Sequence, residues 1–122
     1  MASSLVHRGP DDTGYFWDAD VPLCFGFQRL AIRDLAGGRQ PMKIRDGQLV
    51  IVHNGEIYNS DALRRELESK GHSFETSHSD TEVLLHAYRE WGANCVTRLN
   101  GMWAFAIFDK PGRKLFLSRD RF

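Results

Sequence analysis

Four short segments place side chains capable of chemistry inside otherwise apolar patterns. In Gln28-Arg29-Leu30-Ala31-Ile32-Arg33, Arg29 falls at the inner end of an apolar strand. Its planar fork there either pairs with an internal acid or grips a ligand carboxylate through two parallel hydrogen bonds. Asn54-Gly55-Glu56-Ile57-Tyr58-Asn59 follows a β-branched run. It reads either as a plain hairpin turn or as a device that aims an amide side chain and a backbone N–H at one point, the geometry of an oxyanion hole. Ser79-Asp80 opens a helix, where the helix dipole favours Asp80 whatever its function. His7-Arg8-Gly9-Pro10-Asp11-Asp12 has the make-up of a charged surface turn. Each segment taken singly has a purely structural reading.

The elements that must position these residues are mostly strands with two helices between them. Residues 14–19 and 22–32 carry aromatic and aliphatic residues around a turn-rich break at Asp18–Pro22, which suggests two antiparallel strands. Asp34–Gly38 reads as a loop. Leu49-Val50-Ile51-Val52-His53 is expected to be a strand buried on both faces that ends in a sharp turn at Asn54-Gly55. A helix is expected over 60–70, with Leu63 and Leu67 on one face and Gly71 at its C-terminal stop. The second helix has a capping-box start, Ser79 capping and Glu82 reaching back. Its buried stripe is Val83, Leu84, Ala87, Tyr88 and Trp91, and Gly92 ends it. Met102–Phe108 is apolar on both faces, as a central strand between two layers would be, and a turn at Asp109–Arg113 returns the chain as Lys114–Ser118. Strands flanking a helical middle point to a segregated α+β fold.

Composition narrows the function classes. With 122 residues, 42% apolar and 26% charged, the chain makes one soluble-type domain or part of one. Sixteen basic and sixteen acidic side chains cancel and are well mixed, so nothing draws the chain to nucleic acid or to an anionic membrane. No apolar run approaches a membrane span and no secretory leader is legible. Cys24 and Cys95 lie too far apart for a metal or redox motif and read as buried reduced thiols, with a cytoplasmic location expected. The five histidines form no metal-binding pattern.

Taken together and in order, HRGPDD, QRLAIRDL, GGRQPM, NGEIYN, HSDTE, LNGMWAFAIFD and LFLSRDR closely resemble the glutaminase domain of the glutamine-hydrolysing asparagine synthetases, from about residue 5 to residue 122. The resemblance implies an αββα sandwich, two antiparallel sheets between helical layers, and an N-terminal-nucleophile mechanism. In it a cysteine thiolate attacks the side-chain amide of glutamine and forms a thioester, with the α-amino group (ordinary pKa about 7.7–8.0) as base. It implies that Arg29 holds the glutamine α-carboxylate, with the backbone of Leu30, Ala31, Ile32 and Arg33 lining the site. Asn54 and Gly55 would form the oxyanion hole, and Glu56 and Asp80 would bind the α-ammonium. The loop at Arg8-Gly9-Pro10 would close over the substrate. It implies no cofactor for this domain, with ATP and Mg serving a separate synthetase domain that amidates aspartate to asparagine. Glutamine and that synthetase domain are the implied partners, and a homodimer is compatible with the pattern.

The chain departs from the family in one respect that matters. The family opens with a Cys-Gly-Ile nucleophile well before the His-Arg-Gly-Pro-Asp loop, whereas six residues, Met-Ala-Ser-Ser-Leu-Val, precede His7 here. Neither Cys24 nor Cys95 replaces that cysteine, and the family's Gly-x-Lys-Pro-Leu-Tyr strand and Ser-Gly-Gly-x-Asp-Ser pyrophosphate loop are not in the sequence. The chain therefore reads as a portion of such a domain cut at both ends, inactive by itself. The alternatives are a catalytically silent scaffold domain of the β-lactam-synthetase kind and a module that binds glutamine without cleaving it.

Overall fold

The structure, a computed structural model, describes residues 2–29, 38–44 and 46–121. Two antiparallel strands, β1 (Asp12–Trp17) and β2 (Cys24–Arg29), form one sheet. Four more, β3 (Met42–Lys43), β4 (Leu49–Ile57), β5 (Gly101–Asp109) and β6 (Lys114–Arg119), form a second antiparallel sheet in the order β3-β4-β5-β6. The helices α1 (Ser60–Ser69) and α2 (Asp80–Trp91) lie between β4 and β5 in the chain.

Period-2 alternation along β4 and β5 assigns the layers. Ile51, Ile57, Phe105 and Ile107 turn toward the helices and join Leu63, Leu67, Leu84 and Leu85 in the larger core. Val50, Val52, Ala106 and Phe108 turn the other way and meet Phe16 and Phe25 of the smaller sheet. A 3-10 segment, Ala2–Arg8, lies on the outward face of β2, where a Cβ placed on Gly26 would be 3.2 Å from that of Ala2. The succession is helices, four-stranded sheet, two-stranded sheet and a helical segment, in agreement with the α+β class of stacked antiparallel sheets. No helix among the described residues is long and apolar enough to cross a membrane.

The helix ends follow their sequence signals. Gly71 has φ 96°, the Gly71 amide donates to Glu68 O and the His72 amide to Leu67 O, the paired bonds of a Schellman stop. Gly92 (φ 61°) ends α2 and begins the 3-10 segment Gly92–Arg98. The buried stripe of α2 is wider than its periodicity suggests. Asp80 to Ala87 are all buried, Leu85 included, while Tyr88 and Trp91 are only half-buried. The helix is enclosed by α1, the sheet and the loop at 72–79, so its first half has no solvent face.

Three expectations need correction. β4 does not turn at Asn54-Gly55 but runs on to Ile57, pairing Asn54 with Ala104 and Gly55 with Trp103. What lets it continue is a reciprocal close approach. A Cβ on Gly55 (φ 139°) would fall 2.1 Å from Met102 O, and one on Gly101 (φ 154°) would fall 2.1 Å from Glu56 O. Two glycines thus let two backbones meet where a side chain on either strand would hold them apart. Second, β5 is central in its sheet, but only its Ala106–Phe108 end is covered on the inter-sheet side. Among the described residues Met102 (57% exposed), Leu115 and Leu117 stay open, because the two-stranded sheet reaches only the β4 side. Third, Cys24 is exposed on the outward face of β2, while Cys95 is buried as expected.

Gly101→Ala should therefore cost roughly 2–4 kcal/mol, from backbone strain plus forced separation of the strands. Urea unfolding reads it, and a loss below about 0.5 kcal/mol, the range of an indifferent surface substitution, would contradict the close approach.

Candidate functional site

In an antiparallel ladder both main-chain groups of a residue point to the same neighbour, and successive residues alternate sides. His53 turns its N–H and C=O away from β5. There they meet the side chain of Gln40, whose Oε1 accepts from His53 N and whose Nε2 donates to His53 O at 3.0 Å. Two turns of the ladder later Ile57 N–H faces the same edge and donates to Asp80 Oδ2 at 3.0 Å. Gly55 lies midway. Opposite it, Trp103 commits its own N–H to Asp120 Oδ2 and its C=O to Asp120 N, both at 2.9 Å, so Gly55 and Trp103 are not hydrogen-bonded to each other. The Gly55 N–H is therefore aimed at the β4 edge, between Gln40 and Asp80.

The first turn of α2 holds this stretch from below. Thr81 Oγ1 lies 3.1 Å from His53 Nδ1 and receives a long contact of 3.4 Å from Gln40 Nε2. Consecutive residues thus grip β4 on both sides of Asn54-Gly55: Thr81 on His53 and Asp80 on Ile57. The His53 ring is buried, and burial lowers its pKa below the ordinary value although the Asp80 carboxylate pulls the other way. His53 is a neutral structural member.

Asn54 and Glu56 share the inter-sheet parity of Val50 and Val52. Asn54 is exposed and Glu56 half-buried. Arg29, buried at 7% exposure, has the parity of Phe25 on the inward face of β2. The two come to the same end of the molecule. Gly14, paired with Phe27, packs so tightly on Gln40 that a Cβ there would fall 1.7 Å from Gln40 O, and Gln40 holds the residue before Asn54. The Gly9-Pro10-Asp11 loop lies along the strand that carries Arg29, with Asp11 N donating to Arg29 O at 2.8 Å. A Cβ on Gly9 would meet Gln28 O at 2.4 Å. Of the sequence-derived site residues, Asn54, Gly55 and Glu56 thus share one stretch of β4 with Asp80 bonded at its end, and Arg29 lies two residues along β2 from the Phe27 that pairs with Gly14. Leu30, Ala31, Ile32 and Arg33 lie outside the described residues, as do Asp34 to Gly37 of the expected loop.

Sequence reasoning missed the supports. Gln40 stood within the GGRQPM segment and Thr81 beside Asp80, but nothing local showed that either side chain takes hold of β4. Glu82 was expected to reach back to Ser79. Only half of that capping box forms, with Ser79 Oγ accepting from Glu82 N at 3.3 Å. The Glu82 carboxylate instead accepts from Glu75 N (2.6 Å) and Thr76 N (2.8 Å), with His86 Nε2 at 3.6 Å. The loop before α2 offers it several donors, against one at the Ser79 amide, which donates to Thr76 Oγ1. Burial alone would raise the pKa of Glu82, but the bonds from His86, Thr76 and Glu75 outweigh it and hold the group down at about 2.

A cleft of about 780 Å³ lies elsewhere, between Leu49, Tyr88, Arg89 and Phe116. Leu49 is five residues from Asn54 along β4, about 17 Å away. Cys95, buried in the helical core, has its thiol pushed up to about 11 by burial, and Cys24 faces outward. Neither stands at the Asn54 edge.

The family model described as "Glutamine amidotransferase domain" matches residues 1–122. The chain belongs to the glutamine amidotransferase family. Among curated relatives, asparagine synthetase [glutamine-hydrolyzing] 3 of Bacillus subtilis is 48% identical over 123 residues, which is 99% of this chain and 20% of that protein. Asparagine synthetase [glutamine-hydrolyzing] 1 of Arabidopsis thaliana is 40% identical, over 98% of this chain and 20% of its own length. This amidotransferase chain thus spans about a fifth of these relatives. A solved structure of the glutamine phosphoribosylpyrophosphate amidotransferase of B. subtilis, complexed with ADP and GMP, shares 29% identity and a TM-score of 0.63. It covers 80% of this chain and 23% of its own. A solved allosteric regulatory enzyme of purine biosynthesis gives a TM-score of 0.62 at 31% identity, with the same coverage.

Because the folded pKa of Glu82 lies below its unfolded value of 4.5, its stabilisation is complete above pH 4.5 and is lost as the pH falls toward 2. Between pH 6 and pH 3 the wild-type chain should lose about 2 kcal/mol more than Glu82→Gln in urea unfolding. Equal losses would show that the carboxylate is not held as an anion.

Proposed function

We propose that this domain binds free glutamine between the Arg29 and Asn54 strands and presents its side-chain amide for hydrolysis to glutamate and ammonia. The observation that carries the reading is the Gly55 N–H, aimed at a strand edge that is open among the described residues, between the fixed side chains of Gln40 and Asp80 and beside the exposed amide of Asn54. A backbone donor held in place before substrate arrives is what stabilises the oxyanion of a tetrahedral intermediate, and removing one such donor costs about 2.7–4 kcal/mol of transition-state stabilisation.

Arg29 takes the α-carboxylate through its two-pronged guanidinium. Glu56 and the second carboxylate oxygen of Asp80 take the α-ammonium, Asp80 Oδ2 being already committed to Ile57. With both charged ends of the amino acid fixed, the δ-carbonyl falls to Asn54 and Gly55. By the family resemblance alone, Leu30 to Arg33 are also assigned to glutamine binding. Neither Cys24, which faces outward, nor Cys95, buried in the helical core, is placed to supply the attacking thiolate. In the whole protein, by likeness to relatives named as glutamine-hydrolysing asparagine synthetases, the ammonia is delivered to a synthetase domain that uses ATP and Mg to amidate aspartate.

Calorimetry on this chain with glutamine is expected to show weak binding, reduced about 10- to 100-fold in Arg29→Ala by loss of a charge-assisted pair. Asn54→Ala should leave binding nearly intact, because its amide acts on the transition state. Absence of heat at high glutamine, or an Arg29→Ala variant that binds as well as wild type, would overturn the assignment.

A further inference from the structure

Gln40 belongs to no strand of either sheet, yet it does a strand's work. The β3–β4 register pairs Met42 with Ile51 and Lys43 with Val50. Continued by two residues, it would set Gln40 opposite His53. The Gln40 backbone does not take that place. Its side-chain carboxamide does, and with one acceptor and one donor it satisfies both main-chain groups of His53. The same Nε2 reaches Thr81 Oγ1 at 3.4 Å. The Gln40 backbone, meanwhile, is the surface on which Gly14 of β1 packs, with Gln40 O 1.7 Å and Pro41 Cδ 2.8 Å from where a Cβ would be.

An ordinary third strand running on past His53 would have covered Gly55 as well. A side chain ends after one residue pair, so among the described residues the edge is sealed at His53 and open at Gly55, which is exposed. Replacing the strand by an amide is therefore what holds β4 up to Asn54 and still leaves the next outward N–H uncovered by any described residue.

We propose that Gln40 is a positioning residue of the amide-hydrolysing site, whose carboxamide ends the β3–β4 ladder one residue before Asn54 and so both fixes and exposes the Gly55 N–H. The inference rests on the glutamine-binding reading for its purpose but on hydrogen bonds alone for its mechanism. The two are tested separately.

Amide hydrogen exchange without ligand, on this chain, tests the mechanism. Gln40→Met keeps the length of the side chain and removes both bonds. His53 N–H should exchange about 10-fold faster, the loss of one hydrogen bond. Amides of α1 and β6 should be unchanged. Gln40→Glu keeps an acceptor for His53 N and loses the donor, so its effect at His53 should be smaller. Unchanged exchange at His53 in Gln40→Met overturns the proposal, as does a uniform acceleration across the domain, which would make Gln40 a general packing residue. If Gln40→Met fails to fold, Gln40→Glu carries the test: His53 exchange equal to wild type overturns the proposal, and a selective increase supports it. Glutamine-induced NMR shifts then test the purpose. In Gln40→Met those at Gly55 should fall at least about 3-fold while those at Arg29 persist. Equal loss at both places overturns the positioning role. Absence of any shift in wild type instead defeats the glutamine reading and leaves the exchange result standing.

Discussion

A buried carboxylate that accepts a main-chain N–H has little water to fall back on, so the strand it holds and the helix that carries it move as one. Asp80 stands in that relation to Ile57. Its neighbour Thr81 meets His53 four residues earlier on β4, and the interval between them contains Asn54 and Gly55. Other contacts among the described residues help to keep that interval straight. Ser79 fixes the start of α2 and Glu82 ties the preceding loop to it. Gly101 lets β5 approach closely enough to support β4 past the point where a turn would otherwise form.

This arrangement separates two duties that a turn would have combined. A hairpin at Asn54-Gly55 would present its N–H groups on a mobile tip, whereas a strand held on both sides presents one N–H from a rigid edge. The cost is two glycines in the last pairs of the central ladder, with the loss of side-chain packing that this entails. The helical core on one face and the Phe16–Phe25–Phe108 contact on the other supply the burial that offsets it.

Much of the fold was legible because its signals are local. Ser79 before an acidic first turn, Leu63 and Leu67 four apart, and Gly71 and Gly92 at the helix stops each settle a boundary from neighbouring residues alone. The order of polar segments also marked the site region, with Arg29, Asn54 and Asp80 singled out by type. What the sequence left hidden depends on distant partners. Asn54-Gly55 has a turn's composition, and only the apposition of Gly101, forty-six residues on, makes it a strand. Gln40 is an ordinary polar residue until His53 is placed beside it. The coverage of β5 was over-read because an apolar face shows that burial is favourable, not which neighbour provides it.

On the proposed reading, glutamine lies between β2 and β4 and not in the cleft beside α2. A structure of this chain with glutamine bound tests it most directly. The α-carboxylate is expected on Arg29, the α-ammonium within reach of Glu56 and Asp80, and the side-chain carbonyl facing the Gly55 N–H and the Asn54 amide. Glutamine seated instead against Tyr88, Arg89 and Phe116, about 17 Å along β4, would contradict it.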